Sequence, residues 1–242
     1  MHSTFCILVR LLLLSNSTSP GRSYLAHAVS WMGEFLTGAT RVAFVPYAGV
    51  TVGWDAYADK VRDALAPLGI ELVSTHEAAS PVEALDSADA VLVGGGNTFN
   101  LLREMYTVGL VDAIRQRVHG GMPFVGWSAG SNVACPTIRT TNDMPIVEPP
   151  SFDALGFVPF QINPHYTDAH PDGHQGETRA QRLAEFVTAN PDVPVIGLPE
   201  GTALRIDGHQ LDLLGGDALR FDPSTPEGRP TSVEEIRELA AL

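Results

Sequence analysis

Residues 125–137 read VGWSAGSNVACPT, one serine set between two glycines directly after the short apolar run MPFVGW. A strand that turns sharply into a helix lifts the side chain at the turn out of the sheet, and flanking glycines let the backbone through without Cβ clashes. Gly126-Trp127-Ser128-Ala129-Gly130 has this form, although a tight structural turn or a phosphate-binding helix start would look the same. In the first case the Ala129 amide and the dipole of the following helix point toward the serine oxygen and stabilise an oxyanion there.

Outward from this turn, apolar runs of strand length alternate with segments of helical period. The strand candidates are ILVRLLLL, RVAFVPY, IELVST, AVLVGGG, MPFVGW and VPVIGLP. Helical stripes run through Leu25, Ala28, Val29, Met32 and Leu36, through Tyr57, Val61 and Leu65, through Leu102, Tyr106 and Leu110, and through Leu183 and Val187. The alternation predicts an α/β fold with a mostly parallel central sheet flanked by helices. Residues 11–242 read as a single domain behind an N-terminal extension over residues 1–10. Arg10 splits the first apolar stretch, and the following SNSTSPGRS lacks a small-x-small cleavage site, so that stretch reads as a buried strand rather than a secretory signal. No run reaches the roughly 18 apolar residues that a bilayer span requires.

A chain of 242 residues, 44% hydrophobic, has ample material for a core. Its formal net charge of −13, without any run of Lys and Arg, argues against nucleic acid or an anionic membrane surface as a partner. Two cysteines, Cys6 and Cys135, offer neither a disulfide framework nor a metal knuckle, which fits a reducing compartment. Cys135 reads as a small buried residue.

In an open parallel sheet, sites form beyond the carboxyl ends of the strands. That brings GGGNTF, GWSAGS and LPEGT together as neighbouring loops. Serine needs a base to act as a nucleophile. Of the eight histidines, His2, His27, His76, His119 and His209 are accounted for by packing or by peripheral position. His165 ends the strand-like run FQINPHY behind Pro164, which restricts the approach of the backbone. The carboxylate that orients it is Glu200, in GLPEGT, or Asp143, in RTTNDMP. His165, His170 and His174 with Asp168, Asp172 and Glu177 form a patch of potential ligands, but their spacing matches no metal motif and HPDGHQGE reads as solvated loop. No metal and no cofactor is expected.

PYAGVT, VGGGNTF, GWSAGSNVACPTIRTTNDMPIV, FDALG, QINPHYT, GETRAQR and GLPEG together closely resemble the peptidase E family of α-aspartyl dipeptidases, from about Leu11 to Thr202. The resemblance weakens over the last forty residues, and residues 1–9 are extra to it. It implies a cytoplasmic serine peptidase, on a fold related to class I glutamine amidotransferases, that removes an N-terminal aspartate from dipeptides. By the same resemblance Ser128 matches the nucleophile, His165 the base and Glu200 the carboxylate, with Asp143 also matching a position assigned as relay acid.

On this reading Ala129 and Gly96 supply the oxyanion amides. Arg179 matches the arginine that recognises the aspartate side chain, although without the family it would read as an exposed helix charge. Arg139 is a second candidate that serves equally well as a loop brace, and Asn97 and Thr98 add polar contacts. The partner is a small acidic dipeptide, and the chain acts as a monomer or homodimer. Two alternatives stay open: a cyanophycinase-like serine peptidase acting on longer aspartyl substrates, and a non-catalytic small-molecule binder on the same fold. A glutamine amidotransferase would carry Cys in place of Ser128.

Overall fold

In a computed structural model, residues 9–169, 173 and 175–240 are described. The elements run β1 (Arg10–Leu14), α1 (Val29–Phe35), β2 (Arg41–Val45), α2 (Trp54–Leu65), β3 (Glu71–Ser74), α3 (Pro81–Asp86), β4 (Ala90–Val93), α4 (Thr98–Thr107), α5 (Leu110–His119) and β5 (Phe124–Trp127). They continue with α6 (Ala129–Asn132), β6 (Gln161–Tyr166), α7 (Arg179–Ala189), β7 (Val195–Pro199), β8 (Ala203–Asp207), β9 (Gln210–Leu214), β10 (Ala218–Asp222), β11 (Thr225–Thr231) and α8 (Val233–Ala240). No described helix is long and apolar enough to cross a membrane.

The main sheet has the order β3-β2-β4-β5-β1-β8-β9. Its first five strands are parallel, and β8 and β9 add an antiparallel edge. β1 shows why an uninterrupted leucine run makes a strand here. Leu11 and Leu13 enter the apolar core on one face, Leu12 and Leu14 the core on the other, and all four are fully buried. A strand covered on both faces has no need of alternation. Arg10, at the strand's start, escapes the core by pairing with Asp207 at 3.1 Å and lying over the Phe35 ring.

Three sequence expectations are corrected. VPVIGLP forms β7, but in a second, four-stranded sheet of order β11-β10-β7-β6, where β7 runs parallel to β6 and antiparallel to β10. The stripe through Leu102, Tyr106 and Leu110 spans two helices, because Gly109 takes a left-handed conformation with φ +75 that ends the first before Leu110 starts the second. The helical stripe beginning at Leu25 is helix only from Val29, the residues before it forming turns. Ile162, Ile196 and Leu198 from the second sheet share a core with Leu11, Leu13 and Val93 of the first, so the two sheets are joined by apolar burial.

The paired glycines at the opening turn are required by close approach of backbone to backbone. A Cβ on Gly126 would lie 2.5 Å from the Gly130 carbonyl oxygen, and one on Gly130 would overlap the Val93 carbonyl of β4. Gly130→Ala is therefore expected to lower the unfolding free energy by about 1–3 kcal/mol, as overpacking does. Urea denaturation followed by circular dichroism measures it; an unchanged midpoint would contradict the close approach.

Candidate active site

Ser128 follows β5 directly and takes φ +55 and ψ −114, a conformation costly for a residue with a Cβ. It persists because its surroundings leave no alternative. The Ser128 amide donates to Leu14 O at 3.1 Å, and the Ser131 hydroxyl reaches both Leu14 O and Gly126 O, at 2.7 and 2.9 Å. The helix beyond is a single turn, so the dipole contribution expected from a longer helix is confined to its first amides. Among the described residues the amides of Ala129 and Gly96 donate to no partner, which leaves both available to an incoming oxygen.

His165 is the second non-glycine residue of the site at positive φ, +53, where the β6–β7 register shifts between Asn163 and Tyr166. Its conformation too is fixed by neighbours. His165 N donates to Ser15 Oγ at 2.9 Å, Asn142 Nδ2 donates to Pro164 O at 2.9 Å, and Arg179 donates to the His165 carbonyl. The chain that leaves the turn after Ser128 pins the same strand. Asn132 Nδ2 and Thr140 Oγ1 both donate to Ile162 O at 3.0 Å, and Cys135 Sγ accepts from Ile162 N at 3.1 Å. The segment from Asn132 to Thr140 is thus also a strap that seats β6.

The imidazole bridges two partners: Nε2 lies 2.9 Å from Ser128 Oγ, and Nδ1 lies 2.8 Å from Glu200 Oε1. Glu200 stands in the turn where the chain crosses from β7 in the second sheet to β8 in the main one. That turn is tied to β1, since Gly201 N donates to Asn16 Oδ1 at 2.8 Å and Ser15 N to Thr202 O at 2.9 Å. The three loops expected to meet do so, although they come from two sheets rather than one.

The structure separates the two candidate acids. Asp143 accepts from Thr98 N and Oγ1, at 2.7 and 2.6 Å, and from Thr141 Oγ1 at 3.1 Å, and makes no hydrogen bond to His165, whose carboxylate partner is Glu200. It lines a cavity of about 230 Å³ together with Ser128, Ala129, His165 and Arg179. Arg179 opens α7 behind a capping box made by Thr178 and Gln181, which directs it at the site. It is half-buried and makes no ion pair among the described residues; burial, with Arg182 nearby, lowers its affinity for its proton. Arg139 is exposed and lines neither cavity at Ser128. Asn97 caps α4 through Asn100 N and faces a second, larger cavity, while the Thr98 hydroxyl is spent on Asp143.

Of the patch weighed as a metal site, His170, Asp172 and His174 lie outside the described residues. Asp168 accepts from the Ala180 amide at 3.4 Å, and Glu177 lies 3.8 Å from Arg182. Sequence reasoning missed Ser15 and Asn16. Their signal was present: a Ser-Asn pair directly after four leucines, at the carboxyl end of a buried strand.

A hydroxyl, an imidazole and a carboxylate joined in series on a parallel α/β sheet are the mark of the serine peptidases and their hydrolase kin. The comparisons with known proteins agree. Residues 11–214 match the sequence profile of peptidase family S51, and the chain belongs to that family. It is 52% identical to peptidase E of Salmonella arizonae over 208 residues, 86% of this chain and 90% of that protein. Peptidase E of Salmonella typhimurium is 51% identical over the same share of each chain.

Among solved structures, the chain is similar to a putative peptidase E from Listeria monocytogenes, with TM-score 0.65 and 24% identity over 86% of this chain and 99% of that one. A peptidase from an acI-B1 actinobacterium aligns with TM-score 0.66 and 17% identity over 93% and 95%. Both likenesses concern the fold.

Ser15→Ala would leave the Leu198 carbonyl and the His165 amide without their hydroxyl partner. The expected cost is about 1–3 kcal/mol of unfolding free energy, read by thermal and urea denaturation. No loss at all would mean that the hydroxyl does not hold the two sheets together.

Proposed function

We propose that the protein hydrolyses dipeptides bearing an N-terminal aspartate, through an acyl-enzyme on Ser128. The observation that carries this reading is the imidazole of His165 lying 2.9 Å from Ser128 Oγ and 2.8 Å from Glu200. With Nδ1–H donating a hydrogen bond to Glu200 and keeping its proton, the Nε2 lone pair accepts the hydroxyl proton as Ser128 Oγ bonds to the scissile carbonyl carbon. The carbonyl oxygen takes the negative charge and is met by the Ala129 and Gly96 amides. When the intermediate collapses, the C–N bond breaks and His165 returns the proton to the departing amine. Water then attacks the ester, giving its proton to His165, and aspartate leaves as Ser128 regains its hydrogen.

The small cavity supports the choice of substrate. Arg179 and Asp143 both line it, one cation and one anion, as an aspartate with a free amino group requires. A planar guanidinium holds a carboxylate by two parallel bonds, which a single amide cannot replace. In a chain of charge −13 this local cation decides whether an acidic side chain enters at all. We further assign the protein to the cytoplasm, a reading supported by the free thiol of Cys135.

Ser128→Ala should reduce kcat on Asp-Leu by at least about 10⁴-fold while the protein stays folded, as loss of a serine nucleophile does. Near-full turnover by that variant would refute the mechanism. Arg179→Met should lower kcat/KM for Asp-Leu relative to Asn-Leu by about 10²-fold, the cost of one desolvated charged pair. An equal loss on both substrates would assign Arg179 to bracing His165 instead.

A further inference from the structure

Ser128 and His165 also line a cavity of about 690 Å³ to which Asp143 does not contribute, and its character is different. No carboxylate lines it. Apart from the imidazole, its one ionisable cation is Lys60, the only lysine in the chain. Val50, Val52 and Ile146 border the same space, and each is about half exposed, at 54, 48 and 51%.

Lys60 is turned away from the partners its own helix offers. Asp63, three residues on, would make the usual helical ion pair, yet Lys60 forms no salt bridge among the described residues, and Asp59 is taken by Arg62 at 2.8 Å. Its ammonium lies instead 4.1 Å from the centre of the Tyr24 ring. Burial keeps the Tyr24 phenol protonated, so the ring holds the cation without neutralising it.

That ring is connected to the reacting centre by fixed hydrogen bonds. Tyr24 and Tyr57 hydroxyls are 3.2 Å apart, Tyr57 donates to Gly95 O at 2.9 Å, and Trp127 Nε1, one residue before Ser128, donates to Tyr57 at 3.1 Å. A cation with no salt bridge among the described residues thus lines the same cavity as Ser128, seated against a ring tied to the residue that precedes it.

Given the reaction proposed above, on which this step rests, the residue released from a dipeptide differs from any internal residue by one group, its free α-carboxylate. With aspartate seated beside Arg179 and Asp143, the leaving residue must lie in the larger cavity. We propose that Lys60 pairs with that carboxylate and thereby selects substrates only two residues long, while Val50, Val52 and Ile146 receive an apolar second side chain. The terminal carboxylate takes no part in bond breaking, and a contact made equally with the bound substrate and the transition state acts on binding and is expressed in KM more than in kcat.

Wild type, Lys60→Met and Lys60→Arg are compared on Asp-Leu and on Asp-Leu-amide, which differ only in the terminal charge. Wild type should prefer the free acid. Lys60→Met should shrink the ratio of the two kcat/KM values by about 10- to 100-fold, the worth of one charge-assisted hydrogen bond. Lys60→Arg should retain most of the preference, and thermal melting checks that both variants fold. An active wild type that shows no preference, or a ratio untouched by Lys60→Met, overturns the Lys60 assignment alone. A wild type that cleaves neither substrate overturns the peptidase reading and this inference with it.

Discussion

One buried hydroxyl holds this molecule's two sheets in register at the point where they must cooperate. Ser15, the first residue beyond β1, donates to Leu198 O of β7 at 2.8 Å and accepts from His165 N of β6 at 2.9 Å. Ser128 hangs from the main sheet, and His165 and Glu200 from the second. Apolar burial brings the sheets together but is indifferent to a small slide. Directional bonds are not, because a hydrogen bond weakens steeply with misalignment. Ser15, Asn16 and the strap of Asn132, Cys135 and Thr140 therefore convert a packed interface into a fixed distance between Ser128 Oγ and His165 Nε2.

The same fixing explains why two non-glycine residues can occupy the left-handed region. Ser128 and His165 each bear that cost where the surrounding bonds are densest, and each is thereby presented side chain outward toward the other. Charge is sorted about this pair. The small cavity carries one cation and one anion, the larger one a cation alone, within a chain strongly negative overall.

Much of the site was legible in the sequence, and the reasons are local. Ser128 between glycines, His165 behind Pro164 and Glu200 at a strand end each carry backbone constraints that short motifs record. The partition into two sheets was not legible, since VPVIGLP has the same apolar pattern whichever sheet it joins. The strands after Glu200 were hidden because QLDLL and TPEGRPT are half exposed, and the latter contains Pro and Gly. The choice between Glu200 and Asp143 depended on which loop reaches the imidazole, and Asp143 is claimed by Thr141, two residues before it, and by Thr98, 45 residues away, a meeting that spacing does not reveal. Nothing in the sequence around Lys60 singles it out; the ring of Tyr24, from another part of the chain, gives it a direction.

Cys135 lies three residues beyond α6, the single turn that follows Ser128, yet it is set apart from the site. It is fully buried, burial pushes its thiol up to about 12, and its sulfur is engaged by the Ile162 amide. A sulfur so enclosed yields almost no thiolate, the form that peroxide and alkylating poisons attack. Among the described residues, the surroundings of Ser128 therefore offer such reagents a hydroxyl and a sealed sulfur but no thiolate.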